Sequence, residues 1–209
     1  MKTKILTVVV IFLSSITLLA QDQYTKGMTK ALSFWEEGKI VEASNLFERI
    51  AMAEEDNWIP YYYVAQVNTT ASFGEKDETK LRQQLDRAKE FVDIAKKISP
   101  DNPELIVQEA MINTAWMAFD GATYGPTLAG KNTQLYAKAL QMAPSNPRVV
   151  YSKASWDMGS ARYFGKDTAP YCKDVERALK LFATFENDTP FYPSWGEDSA
   201  KKELEQCKG

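Results

Sequence analysis

The residue types that carry most enzymatic chemistry are scarce in this chain. It has no histidine in 209 residues, which removes the commonest general base, the Ser-His and Cys-His nucleophile pairs and histidine-containing zinc sites. No phosphate loop or dinucleotide fingerprint is present, since the glycines are scattered. Carboxylates are plentiful, but Glu36-Glu37 and Glu54-Glu55-Asp56 stand where solvated helix ends are expected. The chain is read as non-catalytic, with no metal and no cofactor expected. The residues suited to recognition are aromatic: Phe73-Gly74, Tyr124-Gly125 and Phe164-Gly165 each place a ring beside a glycine. A second set, Asn68, Asn113 and Asp157, recurs at intervals close to those of the aromatic pairs.

Three features bound where such chemistry would operate. Lys2 and Lys4 precede an apolar run from Ile5 to Leu19, and Ala20 precedes the polar Gln21-Asp22-Gln23. That is the pattern of a secretory leader over residues 1–20, cleaved after Ala20, and about 15 apolar residues are too few for a spanning helix. The expected product is residues 21–209, a single exported domain without a membrane anchor. Losing two lysines takes the net charge from −3 to −5; with no basic block, nucleic acid is not an expected partner. In an oxidising compartment Cys172 and Cys207 are expected to pair as a disulfide that closes a loop of about 35 residues.

The elements that must position these residues repeat at about 45 residues. Ala88, Val92, Ala95 and Pro100 reappear 90 later as Ala178, Phe182, Phe185 and Pro190, with Tyr136, Ala139 and Pro144 halfway between and Ala43, Phe47 and Ile50 one step earlier. Within each unit apolar residues fall at three- and four-residue steps, the period of amphipathic helices. Each helix run stops before a proline. Ser99-Pro100-Asp101-Asn102-Pro103 and Ala143-Pro144-Ser145-Asn146-Pro147 are near copies in which the asparagine caps the next helix and a proline takes its first position. Thr189-Pro190-Phe191-Tyr192-Pro193 keeps the proline spacing with aromatic residues between. A period in this range marks a solenoid, whose units bury their apolar faces only by stacking.

This pattern resembles the tetratricopeptide (TPR) family, and more loosely the stretch from Phe164-Gly165 through Pro193-Ser194-Trp195-Gly196 is similar to a group of secreted TPR-like proteins of Bacteroidota. Ala65, Ala110 and Ala154 match the small residue of the family's first helix; Gly38, Ala43 and Phe47 give the most typical single repeat. Asn132 departs from it where the second helix should begin with alanine. The resemblance implies an all-α, TPR-like helical hairpin solenoid of four repeats (24–56, 58–100, 103–144 and 147–190) closed by a capping helix at 196–207. The unit exceeds the family's 34 residues, and the surplus falls at Thr69–Lys80, Met117–Lys131 and Met158–Tyr171. These are expected as long intra-repeat loops on one edge, where Phe73, Tyr124 and Phe164 either form a composite binding surface or pin their own loops. The TPR register implies a concave groove faced by Tyr62, Gln66 and Thr69, by Glu104, Val107, Met111 and Thr114, and by Arg148, Tyr151 and Ser155. Arg148 is the one cation there that could hold a peptide carboxylate. Asn68, Asn113 and Asp157 would bond the loop backbones or line a polar cavity. Two functions follow as expectations: a non-catalytic module binding a protein or peptide in an open groove, or a small-ligand carrier with its pocket beneath the inserted loops.

Overall fold

The computed structural model describes residues 22–207, so the expected leader over 1–20 lies outside the described residues. Nine α-helices form among the described residues: α1 over 22–36, α2 Ile40–Ala53, α3 Trp58–Ser72, α4 Glu78–Ile98, α5 Pro103–Phe119, α6 Gly121–Met142, α7 Pro147–Tyr163, α8 Ala169–Phe182 and α9 Glu197–Gln206. They pair as four hairpins with α9 laid against α8. First helices of neighbouring hairpins touch, α3 with α5 and α5 with α7. The first helices therefore line the inner face of the stack.

The recurring small residues are where the helices meet. Ala43, Ala65, Ala88, Ala95, Ala110, Ala139 and Ala178 are fully buried, as are Phe47 and Val92. A side chain no larger than a methyl lets two helix backbones approach closely, and the large apolar residue one turn on fills the space beside it. Each such ring or branched side chain contributes about 1.5–3 kcal/mol when fully buried. Asn132 is also fully buried, and donates from Nδ2 to Thr114 Oγ1 at 2.9 Å. The helix starts are capped as the sequence implies: Asn102 Oδ1 accepts from Glu104 N at 3.0 Å and Asn146 Oδ1 from Arg148 N at 3.0 Å. Glu109 on α5 is clamped by Lys96 of α4 (2.5 Å) and Lys131 of α6 (2.9 Å).

The inserted stretches are not long loops. The segments joining the helices are 73–77, Asp120 alone and 164–168, and the surplus residues instead lengthen the helices, α4 to 21 residues and α6 to 22. Two aspartates make this possible: Asp77 caps α4 through Thr79 N and Lys80 N, and Asp120 caps α6 through Thr123 N. Pro126 lies inside α6, whose start is capped by Asp120 and whose Tyr124 ring packs at a tilt on Trp116 (4.9 Å).

After α8 the chain does not pass directly into α9. Residues 183–196 leave the last hairpin, cross the inner face to the first two hairpins and return. Phe191 meets Tyr24 edge-on (5.5 Å), and its carbonyl accepts from the Tyr63 hydroxyl at 3.1 Å. The return ends at Gly196, whose φ of 109° suits glycine; a Cβ added there would stand 3.0 Å from Phe182 Cζ. Cys172 and Cys207 are bonded, Cα atoms 6.0 Å apart, tying α9 to the start of α8 and closing a ring that contains the crossing segment.

Candidate functional site

The inner face holds a buried ion pair one repeat apart. Glu104 and Arg148 are the second residues of α5 and α7, so stacking the hairpins brings them together. Arg148 Nε and Nη2 donate to Glu104 Oε1 at 2.9 and 2.7 Å, and Asn146 Nδ2 donates to the same oxygen at 2.6 Å. The Tyr192 hydroxyl donates to the Glu104 carboxylate as well. The outer side of the Arg148 guanidinium stacks on Phe185 (5.0 Å) and Tyr192 (5.2 Å). Tyr62, fully buried beside the pair, accepts from Trp195 Nε1 at 2.6 Å. Burial, and next the Glu104 charge, raise the Tyr62 phenol well above its ordinary value; the same two causes push Tyr192 to about 12. Burial likewise pushes Tyr63 to about 12. The phenols are thus held neutral.

The expected groove residues are therefore brought together, but as a covered layer. Tyr62, Gln66, Arg148 and Tyr151 are buried, and Ser155 and Met111 are half-buried. Arg148 is only 2% exposed and neutralised by Glu104, so it is not a free anchor for a peptide carboxylate. Phe191, Tyr192 and Trp195 occupy the face that the register implies is open. The sequence offered a signal for this: Thr189-Pro190-Phe191-Tyr192-Pro193 keeps the inter-repeat proline spacing but replaces its polar residues with rings. It reads as another turn, and only the return path reveals a cover.

The aromatic pairs part ways. Phe73 and Phe164 are equivalent C-caps of α3 and α7, both exposed, each followed by a glycine in the left-handed region (Gly74 φ 88°, Gly165 φ 63°). Tyr124 lies in the first turns of α6, half-buried on Trp116, with Arg82 also over that indole. Tyr163 and Phe164 form an edge-on pair at 5.1 Å, 70% and 66% exposed. Asn68, Asn113 and Asp157 neither bond loop backbones nor surround a cavity. Asn68 Nδ2 donates to Ser44 Oγ and to Val64 O, both at 2.8 Å; Asn113 Nδ2 is buried without a partner; Asp157 pairs with Lys153 one turn away.

An open depression of about 600 Å³ lies beside the crossing segment. Pro103, Pro144, Asn146, Leu181, Phe185 and Tyr192 form its principal walls. Among the described residues there is no cluster of carboxylates or cysteines that could hold a metal ion, and no helix is long and apolar enough to cross a membrane.

These features define a TPR-like, all-helical repeat protein. Among solved structures, the HusA haemophore from Porphyromonas gingivalis superposes with a TM-score of 0.77 at 21% identity, covering 88% of this chain and 92% of that one. A thermophilic TPR protein of Thermus thermophilus superposes with a TM-score of 0.56 at 12% identity, covering 85% of this chain and 77% of that one. No protein-family model matches the chain, and no curated protein matches it. At these identities the likeness is one of fold.

Proposed function

We propose that this protein is an exported, non-catalytic carrier of a small, flat, largely apolar molecule, with haem the first candidate to test. The observation that carries the reading is the depression beside Tyr192. Its volume lies within the range that small ligands occupy, and its open wall sets the Phe185 and Tyr192 rings, Leu181 and two prolines beside polar side chains that include Asn146 and Thr184. The fold shared with a haemophore supports the same class of ligand, and the leader-like start and the disulfide support export. With no histidine in the chain, the contacts would come chiefly from ring faces and aliphatic walls. The test is titration of the disulfide-bonded chain with haemin, followed by the Soret band and by tryptophan quenching. One-to-one saturation is expected, weakened about tenfold or more by Thr184→Trp, which fills the depression. A linear, non-saturating response overturns the reading.

A protein-binding role is favoured by one separate observation, the exposed Tyr163–Phe164 pair, since solvent-facing aromatic residues are the usual anchors of interfaces. A partner captured from envelope extract by the native chain and lost with Tyr163→Ser/Phe164→Ser would favour this second role.

A further inference from the structure

The segment that crosses the inner face is a cover one chain thick. Phe191, Tyr192 and Trp195 are themselves half-buried, whereas Glu104 and Tyr62 beneath them are fully buried and Arg148 nearly so. Side-chain hydrogen bonds hold the cover down at three points: the Tyr63 hydroxyl donates to the Phe191 carbonyl, the Trp195 indole N–H to the Tyr62 hydroxyl, and the Tyr192 hydroxyl to the Glu104 carboxylate. The cover can turn at its ends. Gly196 closes it at φ 109°, and residues 186–190 lead into it fully exposed. Phe191 sits at φ 59°, a left-handed conformation that a bulky aromatic residue seldom adopts unless its surroundings impose it, so lifting the segment relieves backbone strain. The bond from Cys172 to Cys207 keeps α9 on α8, which confines any movement to the segment between Phe185 and Gly196.

Tyr192 is at once part of this cover and a wall of the depression. Its ring lies over the Arg148 guanidinium at 5.2 Å, with Phe185 at 6.2 Å and Trp58 edge-on at 5.9 Å. Small-molecule sites bury about 70–90% of their ligand's surface, and a depression open to solvent does not reach that. Lifting Tyr192 joins the depression to a slot walled by Phe185 and Trp58 and floored by Arg148, a slot that already accommodates one flat ring.

We propose that residues 187–195 form a hinged gate on the depression, latched by Tyr192 and Trp195, and that a flat ligand is taken up in the open form with its edge in the slot the Tyr192 ring leaves. The inference rests on the carrier reading. With the open form a minor state of the free chain, apparent affinity is the affinity of the open form reduced by the open fraction. Weakening a latch therefore tightens binding, the reverse of what removing a wall contact does. Trp195 separates the two effects, because it latches the cover without being a wall of the depression.

The test uses the full chain with its disulfide, haemin as the probe, and two conservative variants, Tyr192→Phe and Trp195→Phe, each of which loses one latch hydrogen bond and keeps a ring. Opening is read without ligand as the rate at which phenylglyoxal modifies Arg148, mapped by mass spectrometry of peptides. Each variant is expected to raise that rate about three- to tenfold and to raise the haemin association rate by the same factor, with dissociation unchanged. Where the two variants disagree, Trp195→Phe decides. Arg148 modification no faster than in the unsubstituted chain overturns the gate. Faster modification with haemin bound no more tightly overturns it as well, and saturable binding then leaves the carrier reading standing. Haemin that saturates none of the three chains removes the carrier reading and the gate with it.

Discussion

Glu104 and Arg148 show how one residue position, repeated 44 later, becomes a different object in three dimensions. Each is an ordinary polar residue near a helix start; stacked, they form an ion pair with essentially no exposure. Removing one partner leaves an unpaired buried charge, so Arg148→Ala is expected to lower unfolding stability by about 3–5 kcal/mol in denaturant titration. Arg148→Met/Glu104→Leu should recover most of that, short of the contribution of Asn146 Nδ2, which loses its acceptor. The phenols nearby make a second prediction. Tyr62, Tyr63, Tyr151 and Tyr192 all have raised values in the folded state, burial being the first cause in each. A raised acid favours the neutral form, so this stability is fully present below the unfolded value of 10 and is lost as pH climbs towards about 12. Ultraviolet titration should show phenolate from these residues appearing together with loss of helical circular dichroism, not before it.

At the scale of elements, Glu109 joins three helices. Burial alone would raise its carboxyl, but Lys96 and Lys131 outweigh that and hold it below the usual carboxylate range. A depressed acid stabilises above its unfolded value near 4.5 and ceases to as pH falls through the lower folded value. Glu109→Gln is therefore expected to flatten the fall in stability at acid pH, with the largest difference from the parent chain at neutral pH. The disulfide acts on α8, α9 and the segment between them. In the chain-entropy model a loop of this length contributes about 3–4 kcal/mol, so Cys172→Ala/Cys207→Ala should lower stability by that order. Proteolysis of that variant should begin in residues 183–190, before any helix is cut. The helices themselves were largely legible, because periodicity, Asn caps and proline stops agree. The added length of α4 and α6 was not, because Gly121, Gly125 and Pro126 are local signals for a loop. Packing of Tyr124 on Trp116 and capping by Asp120 override them.

At the scale of the whole molecule, the crossing segment decides which surfaces remain available. It covers the face that the register assigns to a peptide and leaves the depression beside Tyr192 and the Tyr163–Phe164 edge exposed. Haemin titration and partner capture at Tyr163–Phe164 therefore report on different regions, and Thr184→Trp should affect the first while leaving the second within about twofold. The sequence by itself determined the helices, their pairing and their order in the stack, because these depend on small and apolar residues recurring at fixed intervals that local physics can read. It determined the cysteine partners as well, since two thiols in an oxidising compartment admit one pairing. Only the tertiary structure decided that Glu104 meets Arg148 and that Trp195 reaches Tyr62. Those contacts join residues far apart in the chain through a segment with no period, and their energy exists only once the hairpins are stacked.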